Sequence, residues 1–310
     1  MTLIDRAIVR VLPAVPRPVV RKLSQRYIAG SELADACRVV KGLNAQGKMA
    51  TLDVLAEEIH NRDEALAVVG AYMDVFEKIR QQRLDSNVSV KLTGLGLNLD
   101  HDSCRENLAR IVRCAAERDN FVRIDMEDSS TTSDTLAIYR ELREAGLDNV
   151  GIVLQAYMKR TLPDIADLAD LKPNVRVCKG IYVEPPEIAY QEFDTVRLNF
   201  VEAVTALLDL GSHVAVASHD EWVIVETLRI FEERELDPRA YEFQMLLGVR
   251  GELGHELVRE GHRLRIYVPF GRQWYEYSLR RLQENPKVAG YIAADTFRRV
   301  LPGRNRRNGK

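Results

Sequence analysis

The feature that most constrains the fold is an eightfold alternation between short β-branched runs and longer segments with helical spacing. The runs are roughly Lys48–Leu52, Val88–Leu92, Phe121–Met126, Gly151–Ala156, Val175–Gly180, His213–Ser218, Tyr241–Leu246 and Leu264–Pro269. The segments between them include 63–82, 103–118, 134–145, 186–210, 221–235 and 251–261. Eight strands that alternate with helices over about 250 residues predict an α/β fold, a (β/α)8 barrel.

A doubly wound open sheet would show the same alternation. That fold usually carries a G-x-G-x-x-G loop after a strand, and the glycines of the Thr-Gly-Leu-Gly stretch at 93–96 lack this spacing. No proline-rich linker interrupts residues 31–297. We therefore predict one barrel domain over 35–297, with a helical segment at 1–34 before it and a basic tail at 298–310 after it.

The formal net charge of −2 conceals an uneven distribution. Residues 1–30 carry +5 and residues 298–310 carry +6, so the body between them carries −13. The small total disfavours a nucleic-acid binder. An apolar helical face over residues 3–12 and the two basic ends allow peripheral contact with an anionic membrane, or a simple cap on the body and a solvated tail.

The cysteine and histidine residues show no metal-binding spacing. The four cysteines are Cys37, Cys104, Cys114 and Cys178, and none forms a Cys-x-x-Cys pair. Reduced thiols are typical of the cytoplasm, which is the expected location. We therefore expect no metal centre.

Seven of the predicted strands end in polar or ionisable side chains. These are Lys91, Asp125, Gln155, Arg176, Lys179, Ser218, His219, Gln244 and Tyr267. A charge on an apolar strand is costly unless it is paired or belongs to a site, and barrel sites gather at the carboxyl ends of strands. The pattern predicts a site at that end of the barrel.

Each of these residues also has a structural interpretation when it is taken alone. Lys91 and Lys179 suit ion pairs, and Asp125 precedes a cap-rich stretch and suits a cap on the next turn. Arg176 suits a network without chemistry, and His219 suits a structural histidine. Two other functions remain open at this point: a Schiff-base aldolase with Lys91 or Lys179 as nucleophile, and a non-catalytic binding barrel.

The segment 272–286 follows the eighth run and places four functional side chains on one side of a helix. They are Tyr277, Arg280, Arg281 and Glu284. Adjacent arginines beside a tyrosine suit a carboxylate ligand, because each guanidinium donates two parallel hydrogen bonds. A solvated face with an Arg280–Glu284 ion pair is the alternative.

Four motifs together resemble the signature of the flavin-dependent proline dehydrogenases. They are Ala-Thr-Leu-Asp-Val-Leu-Ala-Glu (50–57), Val-Arg-Val-Cys-Lys-Gly-Ile-Tyr (175–182), Tyr-Glu-Phe-Gln-Met-Leu-Leu-Gly (241–248) and Tyr-x-x-Arg-Arg-Leu-x-Glu-Asn (277–285). The resemblance runs from about residue 35 to 297, and the length is similar to that of the bacterial monofunctional members.

The resemblance implies a distorted (β/α)8 barrel that holds FAD at the carboxyl ends of its strands, with the final helix over the mouth. It implies oxidation of L-proline to Δ1-pyrroline-5-carboxylate, the first step of proline catabolism, by hydride transfer from C5 to flavin N5. Electrons then pass to a quinone acceptor, which would explain basic ends that reach a membrane surface. It does not indicate the oligomeric state.

The resemblance also implies roles for individual residues. Asp125 and Arg176 are the expected catalytic residues, with Arg176 at flavin N5, and Gln244 is expected near the nucleotide end of FAD. The other residues expected to bind the cofactor are Met126, Gln155, Lys179, Gly180, Ile181, Ser218 and His219. Two departures from the family pattern are Ser-His-Asp at 218–220, where many members have Thr-His-Asn, and Val183, where longer members often have an aromatic residue.

The substrate is expected to bind between the strands and the final helix. The residues implied for the carboxylate are Lys91, Arg280 and Arg281, and those around the ring are Tyr182, Leu246 and Tyr277. Glu284 would pair with Lys91, and Glu57 would pair with Arg281 when the site closes.

Overall fold

The eight predicted strands form a closed parallel barrel in the computed structural model, which describes residues 26–56, residues 59–275 and Ser278. The strands are β1 (Met49–Val54), β2 (Ser86–Val90), β3 (Val122–Ile124), β4 (Val150–Gln155), β5 (Val175–Cys178), β6 (Val214–Ala217), β7 (Tyr241–Leu246) and β8 (Leu264–Phe270). Each pairs with the next, and β8 pairs with β1 over Met49–Val54. The predicted fold class is confirmed.

Helices alternate with the strands around the outside of the barrel. They are α1 (Leu33–Asn44), α2 (Arg62–Gln82), α3 (His101–Ala116), α4 (Ser129–Glu144), α5 (Thr161–Asp167), α6 (Phe193–Asp209), α7 (Glu221–Glu233) and α8 (Gly251–Arg259). Short 3₁₀ turns lie at Thr93–Leu95 and Ala169–Leu171. The predicted helix at 3–12, the basic tail at 298–310 and nearly all of the predicted final helix lie outside the described residues.

The hydrophobic core lies between the barrel and its helices. Successive side chains of a strand point to opposite faces, and one face of each strand here is apolar. Leu52 on β1 and Val88 on β2 are fully buried, as are Tyr72 and Phe76 on the facing side of α2. Each large side chain buried in this layer contributes about 1.5–3 kcal/mol, so the layer provides most of the stability.

The inward face of the strands is mostly polar. Buried inward positions include Thr51, Asp53, Ser89, Arg123, Arg176, Glu242, Gln244 and Arg265. Barrel interiors are usually filled by branched apolar side chains. Here hydrogen bonds and ion pairs fill the interior, and the charged network reaches the mouth.

The helix predicted over 186–210 is shorter than expected and begins at Phe193. Residues before it extend across the preceding loop, where Ile188 O accepts from Lys159 N at 2.9 Å and Tyr190 N donates to Tyr157 O at 2.7 Å. Their backbone groups are thus paired outside a helix. The helix predicted over 134–145 instead begins five residues early, at Ser129, because Asp128 accepts from Ser130 N and caps it.

Candidate active site

Asp125 directly follows β3 and is the centre of a hydrogen-bond cluster with side chains of β2, β5 and β8. Its Oδ1 accepts from Arg176 Nη1 at 2.7 Å and from Ser89 Oγ at 2.5 Å. Its Oδ2 accepts from the Tyr267 hydroxyl at 2.7 Å. Asp128 caps the next helix, so the alternative interpretation of Asp125 as a helix cap is wrong.

Asp125 is held in its ionised form. Burial alone would raise its pKa, but the positive charges of Arg176 and Lys91 outweigh burial and place the pKa below its ordinary value. The carboxylate therefore acts as an acceptor that orients Arg176 and Tyr267.

Lys91 is held by a carboxylate that sequence analysis did not select. Its Nζ lies 3.0 and 3.2 Å from the two oxygens of Asp53, 3.4 Å from the Tyr267 hydroxyl and 3.7 Å from Asp125 Oδ2. Asp53 is fully buried, and burial raises its pKa although Lys91 opposes the shift. The sequence did indicate this residue, since Asp53 is the single charged residue of β1. It was missed because the predicted first strand ended one residue earlier, at Leu52.

Arg176 lies inside the barrel beside Asp125 and Gln244. Its Nε donates to Gln244 Oε1 at 2.5 Å, and its guanidinium carbon lies 5.3 Å from the centre of the Tyr267 ring. Its Nη2 is buried and has no hydrogen-bond partner among the described residues. A buried donor of this kind is costly, so the Nη2 group suits an acceptor on a bound molecule.

Gln155 and Met126 are buried at the ends of β4 and β3. Gln155 Nε2 donates to Glu127 O at 2.9 Å. The Glu127 carboxylate, also missed by sequence analysis, accepts from Thr93 N at 3.0 Å and from its hydroxyl at 2.5 Å. These bonds join the loops after β2 and β3 to the last residue of β4.

Lys179 belongs to a second cluster, on the side of β5 and β6. Its Nζ bonds Asp220 Oδ2, and Arg197 Nε contacts the same oxygen at 2.7 Å. Both cations lie 4.2 Å from the Phe193 ring. Burial would raise the Asp220 pKa, but the bonds from Arg197 and Lys179 outweigh it and lower the pKa. Arg197 Nη1 also lies 3.3 Å from Oδ1 of the exposed Asp194, so two cations face two carboxylates here. Arg197 is a further residue that sequence analysis missed.

The remaining predicted residues lie on the loops of the mouth. Ser218 Oγ accepts from Asp220 N at 3.1 Å, and His219 Nε2 accepts from Leu246 N at 3.0 Å. Because Nε2 is an acceptor, His219 has a clear structural role there. Gly180, Ile181 and Tyr182 follow β5, and Ile181 is 41 % exposed.

Gly180 is required by a close approach to an aromatic ring. Its φ is +107°, and a Cβ built on it would lie 2.1 Å from Tyr157 Cδ1. A side chain at this position would collide with the ring, and most side chains also avoid this backbone region.

Several predictions lie outside the described residues. They concern Glu57, Tyr277, Arg280, Arg281 and Glu284. The described part of the chain brings no three histidine, cysteine, aspartate or glutamate side chains together in a metal-binding arrangement. Among the same residues, every helix is too short or too polar to cross a lipid bilayer.

The sequence of the chain is similar to those of known proteins. The sequence model of the family described as "Proline dehydrogenase" matches residues 36–294. Proline dehydrogenase 1 of Bacillus subtilis strain 168 is 37 % identical over 269 residues, which cover 87 % of this chain and 89 % of that protein. Proline dehydrogenase of Deinococcus radiodurans is 35 % identical over 294 residues, which cover 91 % of this chain and 95 % of that protein.

Solved structures give the same fold. Proline utilization A (PutA) of Bdellovibrio bacteriovorus superimposes with a TM-score of 0.82 at 23 % identity, over 93 % of this chain and 37 % of that larger protein. The family match and the two relatives confirm the resemblance that the motifs indicated. The chain belongs to the proline dehydrogenase family, whose members are flavin-dependent oxidoreductases.

Proposed function

We propose that this chain oxidises L-proline to Δ1-pyrroline-5-carboxylate with FAD as its cofactor and a quinone as the final acceptor. Proline oxidation, the first step of proline catabolism, is the activity of the family. The observation that supports the proposal most directly is the buried Nη2 of Arg176, a donor without a partner among the described residues. It lies within a cluster that also contains Lys91, a cation suited to a substrate carboxylate.

The residues present fit a flavin. Arg176 supplies a free cationic donor, and Gly180 lets the backbone pass close to the Tyr157 ring. When bound, FAD supplies the electron acceptor, taking a hydride from C5 of the substrate at its N5 atom. Arg176 would hold the isoalloxazine with Met126 and Gln155, while Lys179 and Arg197 would face the phosphates with Ser218 and His219 nearby.

Lys91 would hold the substrate carboxylate together with Arg280 and Arg281. Its Nζ already contacts both Asp53 oxygens, so Asp53 fixes the ammonium in position before the substrate arrives. A fixed cation avoids a loss of side-chain freedom on binding. Tyr182, Leu246 and Tyr277 would enclose the ring, Glu284 would pair with Lys91, and Glu57 would pair with Arg281 when the site closes.

The amine of the substrate binds in its neutral form in this proposal. The pKa of Asp125 lies below its ordinary value, so this carboxylate is a weak base. Asp125 instead holds Arg176 through Nη1 at 2.7 Å. The catalytic contribution of the chain is then the positioning of the substrate and the electrostatic support of a reduced flavin by Arg176.

A Schiff-base aldolase is less well supported by the geometry. Both candidate lysines are in ion pairs, Lys91 with Asp53 and Lys179 with Asp220. A nearby carboxylate favours the protonated ammonium, whereas a nucleophilic lysine must be neutral.

The visible spectrum of the purified protein tests the proposal. We expect flavin absorbance that bleaches when L-proline is added under anaerobic conditions and returns when a soluble quinone is added. The control is D-proline, which presents C5 differently to the flavin. A protein that binds no FAD even after reconstitution would refute the proposal.

The predicted carboxylate site has its own test. Arg280→Ala and Arg281→Ala should each raise KM for proline by about tenfold or more, because a charge-assisted hydrogen bond contributes about 1.5–3 kcal/mol. Arg38→Ala, an exposed arginine on α1, serves as the control. An unchanged KM in both site variants would contradict the assigned carboxylate site.

Peripheral membrane contact and a cytoplasmic location complete the proposal. The +5 and +6 ends suit the anionic inner face of a membrane, where quinone is found. Deletion of residues 299–310 should weaken binding to anionic liposomes and leave binding to neutral liposomes unchanged. Equal binding by the full and shortened chains would support the solvated tail instead.

A further inference from the structure

We propose that Glu242 and Gln244 on β7 are positioning residues that aim Arg176, so that a carboxylate deep in the barrel sets the electron affinity of the flavin at the mouth. This inference rests on the proposed function. It assigns Gln244 a role that differs from contact with the nucleotide end of FAD.

The three side chains form a continuous chain of short hydrogen bonds. Arg176 Nε donates to Gln244 Oε1 at 2.5 Å, and Gln244 Nε2 donates to Glu242 Oε1 at 2.5 Å. All three residues are at least 90 % buried. Water therefore does not compete for these bonds, and each geometry is strongly constrained.

Glu242 decides which way the Gln244 amide faces. Burial would raise the Glu242 pKa, but Arg265 outweighs it and lowers the pKa to about 2, so the carboxylate is ionised and only accepts. The nitrogen of the Gln244 amide must then face Glu242. The oxygen of the same amide consequently faces Arg176.

This orientation of the Gln244 amide leaves one nitrogen of the Arg176 guanidinium, Nη2, without a protein partner among the described residues. Nε is used by Gln244, and Nη1 is used by Asp125 at 2.7 Å and Ser89 at 3.4 Å. Nη2 keeps both of its N–H groups without a partner among the described residues. Acceptors on two sides therefore fix the guanidinium plane and reserve Nη2 for the bound cofactor.

Glu242 is itself anchored near the amino-terminal ends of β7, β8 and β1. Arg265 binds it through two hydrogen bonds, Nε to Oε1 at 2.8 Å and Nη2 to Oε2 at 3.2 Å. Arg265 Nη1 also donates to Ala50 O on β1 at 2.8 Å. The chain of bonds thus runs from the β1 backbone to Arg176 without an exposed link.

The midpoint potential of the bound flavin tests the role of Gln244. Gln244→Met removes the acceptor at similar side-chain volume, so Arg176 is less well oriented to stabilise the electron-rich reduced flavin. We expect the ratio of reduced to oxidised flavin at a fixed potential to fall at least tenfold, which is about 30 mV for a two-electron couple. We expect kcat to fall about tenfold, with less than a twofold change in KM for proline.

Two further variants keep the test decisive if Gln244→Met folds poorly. Gln244→Glu keeps the acceptor but places two carboxyl groups in hydrogen-bond contact, so they share a proton. Loss of that proton at higher pH adds negative charge beside Arg176, and the plot of potential against pH should gain a step that is absent from the parent. A plot parallel to that of the parent would overturn the proposal.

The double variant Glu242→Gln with Arg265→Gln tests the outer link without leaving a lone buried charge. We expect a potential between those of the parent and Gln244→Met, because the amide at 242 no longer fixes the Gln244 amide. A parental potential here would overturn the role of Glu242. Ile138→Val, a buried change on α4, is the control for altered stability and should leave the potential unchanged.

The alternative role of Gln244, contact with the nucleotide end of FAD, predicts a different result. If Gln244 holds the nucleotide end of FAD, Gln244→Met will weaken FAD binding and leave the potential and the kcat of the loaded enzyme unchanged. That result overturns the inference while the proposed function stands. A parent protein without flavin would instead refute the proposed function itself.

Discussion

At the scale of single residues, the mouth of the barrel is organised by pairs of opposite charge. Asp53 holds Lys91, and Asp125 holds Arg176, while the Tyr267 hydroxyl contacts both pairs. The two cations and two carboxylates cancel in net charge, which makes their burial tolerable. Under the proposed function, Lys91 is the cation for the substrate and Arg176 is the cation for the flavin.

The Asp53–Lys91 pair should contribute measurably to stability. Asp53→Asn removes the nearer carboxylate of Lys91 and leaves Asp125 alone to balance both Lys91 and Arg176. The substitution should therefore lower the free energy of unfolding by about 3 kcal/mol. The double variant Asp53→Asn with Lys91→Met should be more stable than the sum of the single changes predicts, by about 1 kcal/mol or more. Urea denaturation measures each value.

The exposed pair Arg38–Asp35, at 3.0 Å, offers a matched control. Asp35→Asn should cost less than about 1 kcal/mol, since solvent screens exposed ion pairs. Strictly additive effects in the Asp53 and Lys91 variants would show that the two side chains do not interact in solution.

At the scale of elements, the loop between β5 and α6 is tied to its neighbours. Glu184 accepts from both the backbone N–H and the hydroxyl of Ser129 at 2.7 Å, at the start of α4. Ile188 and Tyr190 pair with the loop after β4. The loop that carries Gly180 to Tyr182 is therefore held at both sides, although Val183 is fully exposed.

Gly180→Ala should disturb this loop. The new Cβ would collide with the Tyr157 ring at a positive φ, so the free energy of unfolding should fall by about 2 kcal/mol or more. The flavin content per chain should fall as well. Urea denaturation and the ratio of flavin to protein absorbance measure the two effects.

Gly70 on α2 provides a control in which the same substitution should be stabilising. It is exposed, and a Cβ there meets no atom within 4 Å. Gly70→Ala should raise the free energy of unfolding by about 0.5–1 kcal/mol, because alanine favours a helix interior. Equal effects of the two substitutions would contradict the close approach at Gly180.

At the scale of the whole molecule, apolar and charged interactions occupy different layers. The layer between strands and helices is apolar, whereas charges line the barrel interior from Arg265 to Lys91. His213 borders this interior, and burial lowers its pKa to about 4 from an ordinary 6.5. Its Nδ1 has no partner among the described residues.

The stability of the molecule should therefore depend on pH through His213. The unfolded chain takes up a proton as the pH falls below 6.5, while the folded chain resists until about 4. Stability from this group is thus lost as the pH falls, by about 2 kcal/mol between about pH 7 and pH 5.

His213→Phe removes the titrating group and keeps a ring of similar size. The variant should lose less stability than the parent over the same pH range, as measured by urea denaturation at each pH. Parallel losses in parent and variant would show that His213 titrates alike in the folded and unfolded chains.

The sequence by itself determined the fold, since the alternation of strand and helix periods leaves few topologies that bury every apolar face. It also placed Lys91 and Asp125 directly after strands and Arg176 on a strand, and a parallel barrel brings the three together. Only the tertiary structure decided the partners, such as Asp53 for Lys91 and Gln244 for Arg176. The reason is that partners come from strands far apart in sequence, and barrel closure sets which side chains meet.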